Sequence, residues 1–440
     1  MKKNPTGISG SATLVILAAS SWTLIAASIP SHASMLNFGL EQPLGRSNKN
    51  PAAPFLRFGP DGRLYAIWTE ADDRSALQAN PAHQHESTMK RAPSPMRVAV
   101  LSSSGDDGKS WSPPKQVNTS VEAVQGDENG PKVAFNADKK AFVVWSIPGE
   151  KGDITRANIR FATEDGKGGF TPARTLNEIK DTARFPIIES TPENTMLVAW
   201  IDRRVDNPIP RSLYLMRLKP TGEELTKSYK VGDGLCECCR LGISFADNGK
   251  TVYMVDRQVS EKQIRNHVLR KSTDGGSTFS APVEIADDGW QVPTCPHSGP
   301  SIGRDARGYL HTAWFTLGRS PSEAGLYYAV SKDGGRTFGS KQLIHANTAA
   351  EILHVTMAAA NNGTVYFAWD NLDESNKSQI FARTLATDGK TWSPVQQVSH
   401  AKANANRPAL ALSDHRLQVA WTETDGEQSR VVLRSAALGK

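Results

Sequence analysis

The sequence predicts an all-β protein: a closed β-propeller of four-stranded blades, seven in number, with a six-bladed ring as the alternative. Three observations predict it. An alternating strand, usually ending in tryptophan, recurs along the 440 residues. Tight Gly/Asn/Asp turns sit at matching offsets from that strand. Most recurrences are about 55 residues apart, the length that four short strands and their turns occupy.

The recurring strand reads "GRLYAIWTE", "KKAFVVWSI", "NTMLVAWID", "KTVYMVDRQ", "GYLHTAWFT", "GTVYFAWDN" and "HRLQVAWTE", anchored at Trp68, Trp145, Trp200, Val255, Trp314, Trp369 and Trp421. An insertion over residues 71–97 lengthens the first interval. A shorter strand precedes each anchor, as in "GPKVAFN" and "RPALALS". A third strand such as "LYYAVS" and a fourth such as "KQLIH" follow. The last repeat supplies three strands only, so "MLNFGLEQPLG" near the N-terminus is expected to add the missing one and leave no open edge.

Residues 1–33 pair Lys2 and Lys3 with the apolar run "ATLVILAASSWTLIAASI" and a small-x-small site ending at Ala33. That is the form of a cleaved signal peptide, which places the propeller over residues 34–440 in the periplasm or outside the cell, without stable membrane insertion. Its removal lowers the formal net charge from +6 to +4. The remaining cations are scattered among acids rather than drawn into a stripe, which argues against nucleic acid as a partner.

The turn before the fourth strand carries the most specific motif: "SGDDGKSW" (104–111), "STDGGSTF" (272–279) and "SKDGGRTF" (331–338), with degenerate copies at 163–170 and 387–392. This is the Asp-box, and the chain resembles the sialidase/BNR-repeat superfamily over nearly all of residues 34–440. The aspartates Asp106, Asp274 and Asp333 are suited to accept backbone N–H groups inside the turn while the glycines take positive φ. In the superfamily these boxes are structural.

Strand order sorts the loops onto two faces. Asp-box turns lie on the far face; the long loops after the tryptophan strands and the links between blades lie on the near face, where binding is expected. The residues that open each first strand point toward the axis there: Arg184, the run Cys236 to Arg240, Cys295 with His297, His354 and Arg407. Asp202, Arg203, Asp256 and Arg257, at the ends of second strands, sit beside them. Arg184, Arg240, Arg407, Asp202, Arg203, Asp256 and Arg257 are the candidate ligand-binding residues.

Three of the four cysteines fall within "CECC", 236–239, and the fourth is Cys295 in "CPHSGP". An extended segment would turn Cys236 and Cys238 one way and Cys239 the other. The readings left open are a disulfide to Cys295, two disulfides, or a soft-metal site of Cys236, Cys238, Cys239 and Cys295 with His297 at the near-face rim. Copper is the suited ion. The insertion adds His83, His85, Met89 and Met96 on the same face. "CECCR", "DRQ", "DGW" and "CPHSGP" together are similar to a group of exported bacterial sialidase-like proteins, over residues 234–302.

Resemblance to sialidases implies an arginine triad on the substrate carboxylate, a tyrosine nucleophile with a glutamate, and an aspartate acid. Arg184, Arg240 and Arg407 fit the first role and Asp202 or Asp256 the last, but no Tyr–Glu pair can be placed; Tyr327 and Tyr328 fall on a third strand, away from the axis. The expected function is therefore binding, of a small anion, a glycan or a soft metal, with sialidase-type hydrolysis and a scaffold for another exported protein as alternatives.

Overall fold

The computed structural model describes residues 35–72, 96–150, 155–204, 211–292, 296–347, 353–400 and 402–438. The signal segment, His83, His85, Met89 and Cys295 lie outside them.

Antiparallel strands build every described sheet, as the alternating patterns require. In the blade anchored by Trp68, Ala52–Phe58 pairs with Leu64–Ala71, which pairs with Arg97–Ser104, which pairs with Lys115–Gln116. The same order recurs around Trp145, Trp314 and Trp369. One sheet is eight-stranded. It consists of two such runs, Ala183 to Leu235 around Trp200 and Gly242 to Ala286 around Val255, joined through the single pair Leu235–Gln258. In the sheet around Trp421, Asn37–Phe38 and Gln42–Leu44 pair with Gln428–Ala437, so the N-terminal stretch supplies the fourth strand as expected. First strands touch their successors around the axis, and Asn404–Leu412 packs against Ala52–Phe58 to close the ring. The result is a β-propeller.

Tryptophan anchors the blades for a reason beyond size. Trp68, Trp145, Trp200, Trp314 and Trp421 are fully buried, and each indole N–H donates to a buried carboxylate at 2.7–3.0 Å: Glu70, Glu122, Asp202, Asp288 and Glu423 in turn. Each carboxylate also meets a cation, respectively Arg46, Arg160, Arg204, Lys341 and Arg430. A buried indole needs an acceptor and a buried carboxylate needs a partner, so each satisfies the other.

The Asp-boxes behave as turn braces. Asp274 Oδ1 accepts the Thr278 amide at 2.9 Å and the Ser272 hydroxyl at 2.6 Å, and Oδ2 accepts the Thr278 hydroxyl at 2.6 Å. Asp106 and Asp333 repeat the pattern. Gly335, at φ +84°, lies so close to the neighbouring blade that a Cβ there would sit 2.3 Å from Leu269 Cδ2. Phe279 and Phe338 pack into clusters shared with the adjacent blade, as the box aromatics should.

Candidate functional site

Where first strands enter from the near face, three of them are bulged. Register slips between Ala52 and Phe55, between Arg184 and Ile187, and between Asn406 and Ala409. Each slip holds a residue with positive φ just before a proline: Ala53 (55°), Phe185 (54°) and Arg407 (51°). Left-handed backbone is costly for such residues. A side chain from elsewhere in the ring caps each strained amide: Thr422 Oγ1 at 3.0 Å, Asn129 Oδ1 at 2.8 Å and Asp370 Oδ2 at 2.9 Å. Bulges re-aim side chains, and here they hold Arg407, which lines the axial cavity, and the backbone beside Arg184, which lines a separate small crevice.

Below that mouth lies a cavity of about 450 Å³, walled by first strands from around the ring and including Phe55, Lys132, Glu189, Arg240, Met357 and Arg407. Arg240 and Arg407 come from different blades yet meet consecutive carboxylates of one short turn, Asp127–Asn129. Arg240 Nη1 lies 2.8 Å from Glu128 Oε1, and Arg407 Nη1 2.8 Å from Asp127 Oδ1. Arg240 also donates to Val355 O. Arg184 reaches the Glu237 carbonyl at 3.5 Å and stacks over Phe185. Arg184 and Arg407 both bear on His297, whose ring is held below its ordinary pKa by desolvation first and then by these two cations.

Sequence reasoning missed Asp127, Glu128 and Lys132. Desolvation pulls the Lys132 ammonium down to about 8; Glu128 opposes the shift and Arg240 adds to it. The run "GDENGPK" was the available signal, acids set immediately before a first strand that ends at the axis. A second cavity, of about 370 Å³, shares Pro54, Asp127 and Arg407 with the first and runs outward past Arg97.

Other predicted residues lie elsewhere. Asp202 is 1% exposed and serves Trp200 and Arg204. Arg203 and Asp202 line a small crevice with Arg184, Arg211 and Glu237, apart from the axial cavity. His354 is clamped by Asp370 through its amide at 2.7 Å and its Nδ1 at 2.8 Å. Asp256 and Arg257 are buried, the first ion-paired with Arg270 at 2.7 Å, the second bonded to His267 Nε2 at 3.1 Å and to Phe315 O at 2.8 Å. Tyr327 bonds the Glu323 carbonyl and Tyr328 bonds His311. Among the described residues no tyrosine lines the axial cavity.

The thiol cluster is real, but it is not arranged as an extended segment would arrange it, nor does it open on the rim. Residues 236–239 turn, so all three sulfurs converge. Cys239 Sγ is 3.2 Å and Cys238 Sγ 3.5 Å from Cys236 Sγ, distances far beyond a disulfide bond. All three side chains are buried beneath the loop that carries Arg240. Burial, first, and the Cys236 sulfur, second, raise the Cys239 thiol well above its ordinary range. Arg265 Nη1 donates to Cys236 Sγ at 3.0 Å.

Residues 238–438 match the family described as BNR repeat-like domain. No curated protein matches the chain. Among solved structures, a protein of unknown function from Dyadobacter fermentans aligns with TM-score 0.51 at 15% identity, over 92% of this chain and 99% of its own. A PL25 ulvan lyase bound to -[GlcA(1-4)Rha3S]- aligns with TM-score 0.57 at 10% identity, over 90% and 94%. The endosialidase of phage phi92 aligns with TM-score 0.51 at 10% identity, over 92% and 70%. At these identities the likeness is one of fold.

Proposed function

We propose that the near-face mouth binds an acidic saccharide, in a ring we read as seven-bladed, belonging to a protein exported to the periplasm or beyond by residues 1–33. One observation carries the reading: Arg240 and Arg407, from different blades, meet at the axial cavity over one short acidic turn. With Arg57 and Lys132 they line the cavity with four cations against the three carboxylates Asp127, Glu128 and Glu189, a surplus that suits a negatively charged ligand. A cavity of about 450 Å³ and a second of about 370 Å³, with Pro54, Asp127 and Arg407 lining both, give room for a chain rather than a single ion. The ligand named for the ulvan lyase is of this chemical kind.

Titration calorimetry with sulfated, uronate-bearing oligosaccharides tests it, beside neutral chains of equal length. Binding should weaken with salt, and Arg407→Ala should weaken it by about tenfold or more at unchanged fold. Equal affinity for neutral and acidic chains would end the proposal. Hydrolysis of a fluorogenic sialoside should stay at background, since no tyrosine faces the cavity among the described residues.

A second reading rests on the cysteines. The ligand atoms of Cys236, Cys238 and Cys239 lie within 4.8 Å of one another. A metal bonded at about 2.3 Å to each sulfur needs sulfurs roughly 4 Å apart. Thiolates without oxygen ligands favour soft ions, copper(I) foremost. A copper titration of reduced protein against a competing chelator, beside Cys236→Ser/Cys238→Ser, tests this site independently of the saccharide.

A further inference from the structure

Around the three thiols the protein has buried more positive charge than its carboxylates balance. Arg270 is matched by Asp256 at 2.7 Å. Arg257, 1% exposed, touches only neutral groups: His267 Nε2, the Phe315 carbonyl and the Trp290 ring, 4.9 Å from the guanidinium carbon; the carboxylate in its neighbourhood, Asp288, is held by Lys341 at 2.7 Å. Arg265, 5% exposed, has the Val292 carbonyl at 3.0 Å and Cys236 Sγ at 3.0 Å. Neither meets a carboxylate among the described residues. An arginine cannot shed its proton to escape burial, and an unmatched buried ion is costly. Asp256 and Asp288 are taken by Arg270 and Lys341, which leaves the thiols as the nearby groups able to supply further negative charge.

Unpartnered polar atoms mark the same place. Arg257 Nη1, Asp256 Oδ1 and His267 Nδ1 are buried without a hydrogen-bond partner. Because His267 Nε2 accepts from Arg257, its ring proton belongs on Nδ1. The thiols belong to a core cluster with the apolar Leu235, Leu241 and Val259, and these charged and polar groups add a polar wall to it.

We infer that the cluster is built for a monovalent soft cation, copper(I), held by the thiolates of Cys236, Cys238 and Cys239, with Arg257 and Arg265 as its counter-ions. The inference rests on the soft-metal reading above and adds the charge that selects the ion. Metal binding leaves each cysteine deprotonated. Three thiolates around one monovalent ion carry two negative charges, equal to the two unmatched guanidiniums. Around a divalent ion they carry one, and one arginine stays unmatched. Arg265, already bonded to Cys236 Sγ, is the residue that sets this preference.

The test compares copper(I) and zinc(II) affinities of the reduced full chain by chelator competition, in wild type, Arg265→Met, Arg265→Lys, Cys295→Ser and Cys236→Ser/Cys238→Ser. Circular dichroism checks that each is folded. Arg265→Met should lower copper(I) affinity by about tenfold or more and change zinc(II) affinity less, and Arg265→Lys should restore the wild-type ratio. An unchanged ratio in folded Arg265→Met overturns the charge-matching inference while leaving the metal site standing. Zinc(II) bound as tightly as copper(I) and lost in Cys295→Ser also overturns it, because a fourth thiolate around a divalent ion carries the same charge. If no metal binds wild type better than the double cysteine variant, the soft-metal reading itself fails.

Discussion

Arg240 and Glu128, 112 positions apart in the chain, form an ion pair at 2.8 Å beside the axial cavity. Glu128 Oε2 remains buried and without a partner. The pair ties the loop bearing the thiols to the turn bearing Asp127, so one interaction fixes cations drawn from several blades.

Glu128→Gln should therefore act on Lys132 as well as on Arg240. Glu128 is the charge that holds Lys132 up against desolvation and Arg240, so without it Lys132 should titrate below its value of about 8. Loss of the charged partner of Arg240 should cost about 1–3 kcal/mol of stability. Heteronuclear NMR of the lysine side chain and chemical denaturation measure the two effects. A Lys132 titration that moves up would contradict the charge arrangement described here.

Asp202→Ala should unfold the protein more readily without touching the mouth. It strands the Trp200 N–H and removes the nearer carboxylate of Arg204, whose side chain is 14% exposed and keeps Glu178 at 3.5 Å. The cost should be about 2–4 kcal/mol, below that of a fully buried pair because Arg204 is partly solvated. Thermal melting reads the loss, and saccharide affinity of the folded fraction should equal wild type. Weaker binding at equal stability would return Asp202 to the ligand site.

The repeat made the architecture legible because tryptophan, turn glycine and box aspartate recur at fixed offsets. Asp202 reads in sequence only as a ligand-binding residue at the end of a second strand, and its bonds to Trp200 and Arg204 are not foreseen there. The correcting signal was periodic: Glu70, Asp202 and Glu423 each lie two residues past a tryptophan, hence on the same face of the strand as the indole. The cysteine geometry was not legible, since alternation holds for extended backbone and residues 236–239 turn. The bulges that aim Arg184 and Arg407 depend on amide caps from distant segments, which no local pattern announces.

Asp274→Ala and Asp333→Ala should each lower stability by about 0.5–2 kcal/mol, as loss of a side-chain cap does. Hydrogen bonds from the Ser272 hydroxyl, foremost, and from Thr278 depress the Asp274 carboxyl from 3.8 to about 2. A depressed carboxyl stabilises the fold above its unfolded value and loses that contribution as pH falls from about 4 through 2. Asp274 is solvent-exposed, so screening keeps this effect small. Melting curves at pH 7 and pH 3 check the sign: the gap between wild type and Asp274→Ala should narrow in acid.

His354 should give the opposite slope. Burial alone would lower its pKa, but the charge and hydrogen bond of Asp370 outweigh burial and raise it, with Glu128 adding and Arg407 opposing. A raised histidine contributes its full stability below the unfolded value of about 6.5 and loses it as pH rises through the folded value. Asp370 also caps the strained Arg407 amide at 2.9 Å, so deprotonating His354 loosens the carboxylate that positions a mouth arginine. His354→Gln should cost about 1–2 kcal/mol at pH 6 and much less at pH 9, and wild-type saccharide affinity should fall across the same interval. Denaturation and calorimetry at both pH values measure this. A difference between wild type and His354→Gln that grows with pH would show that the histidine is held neutral.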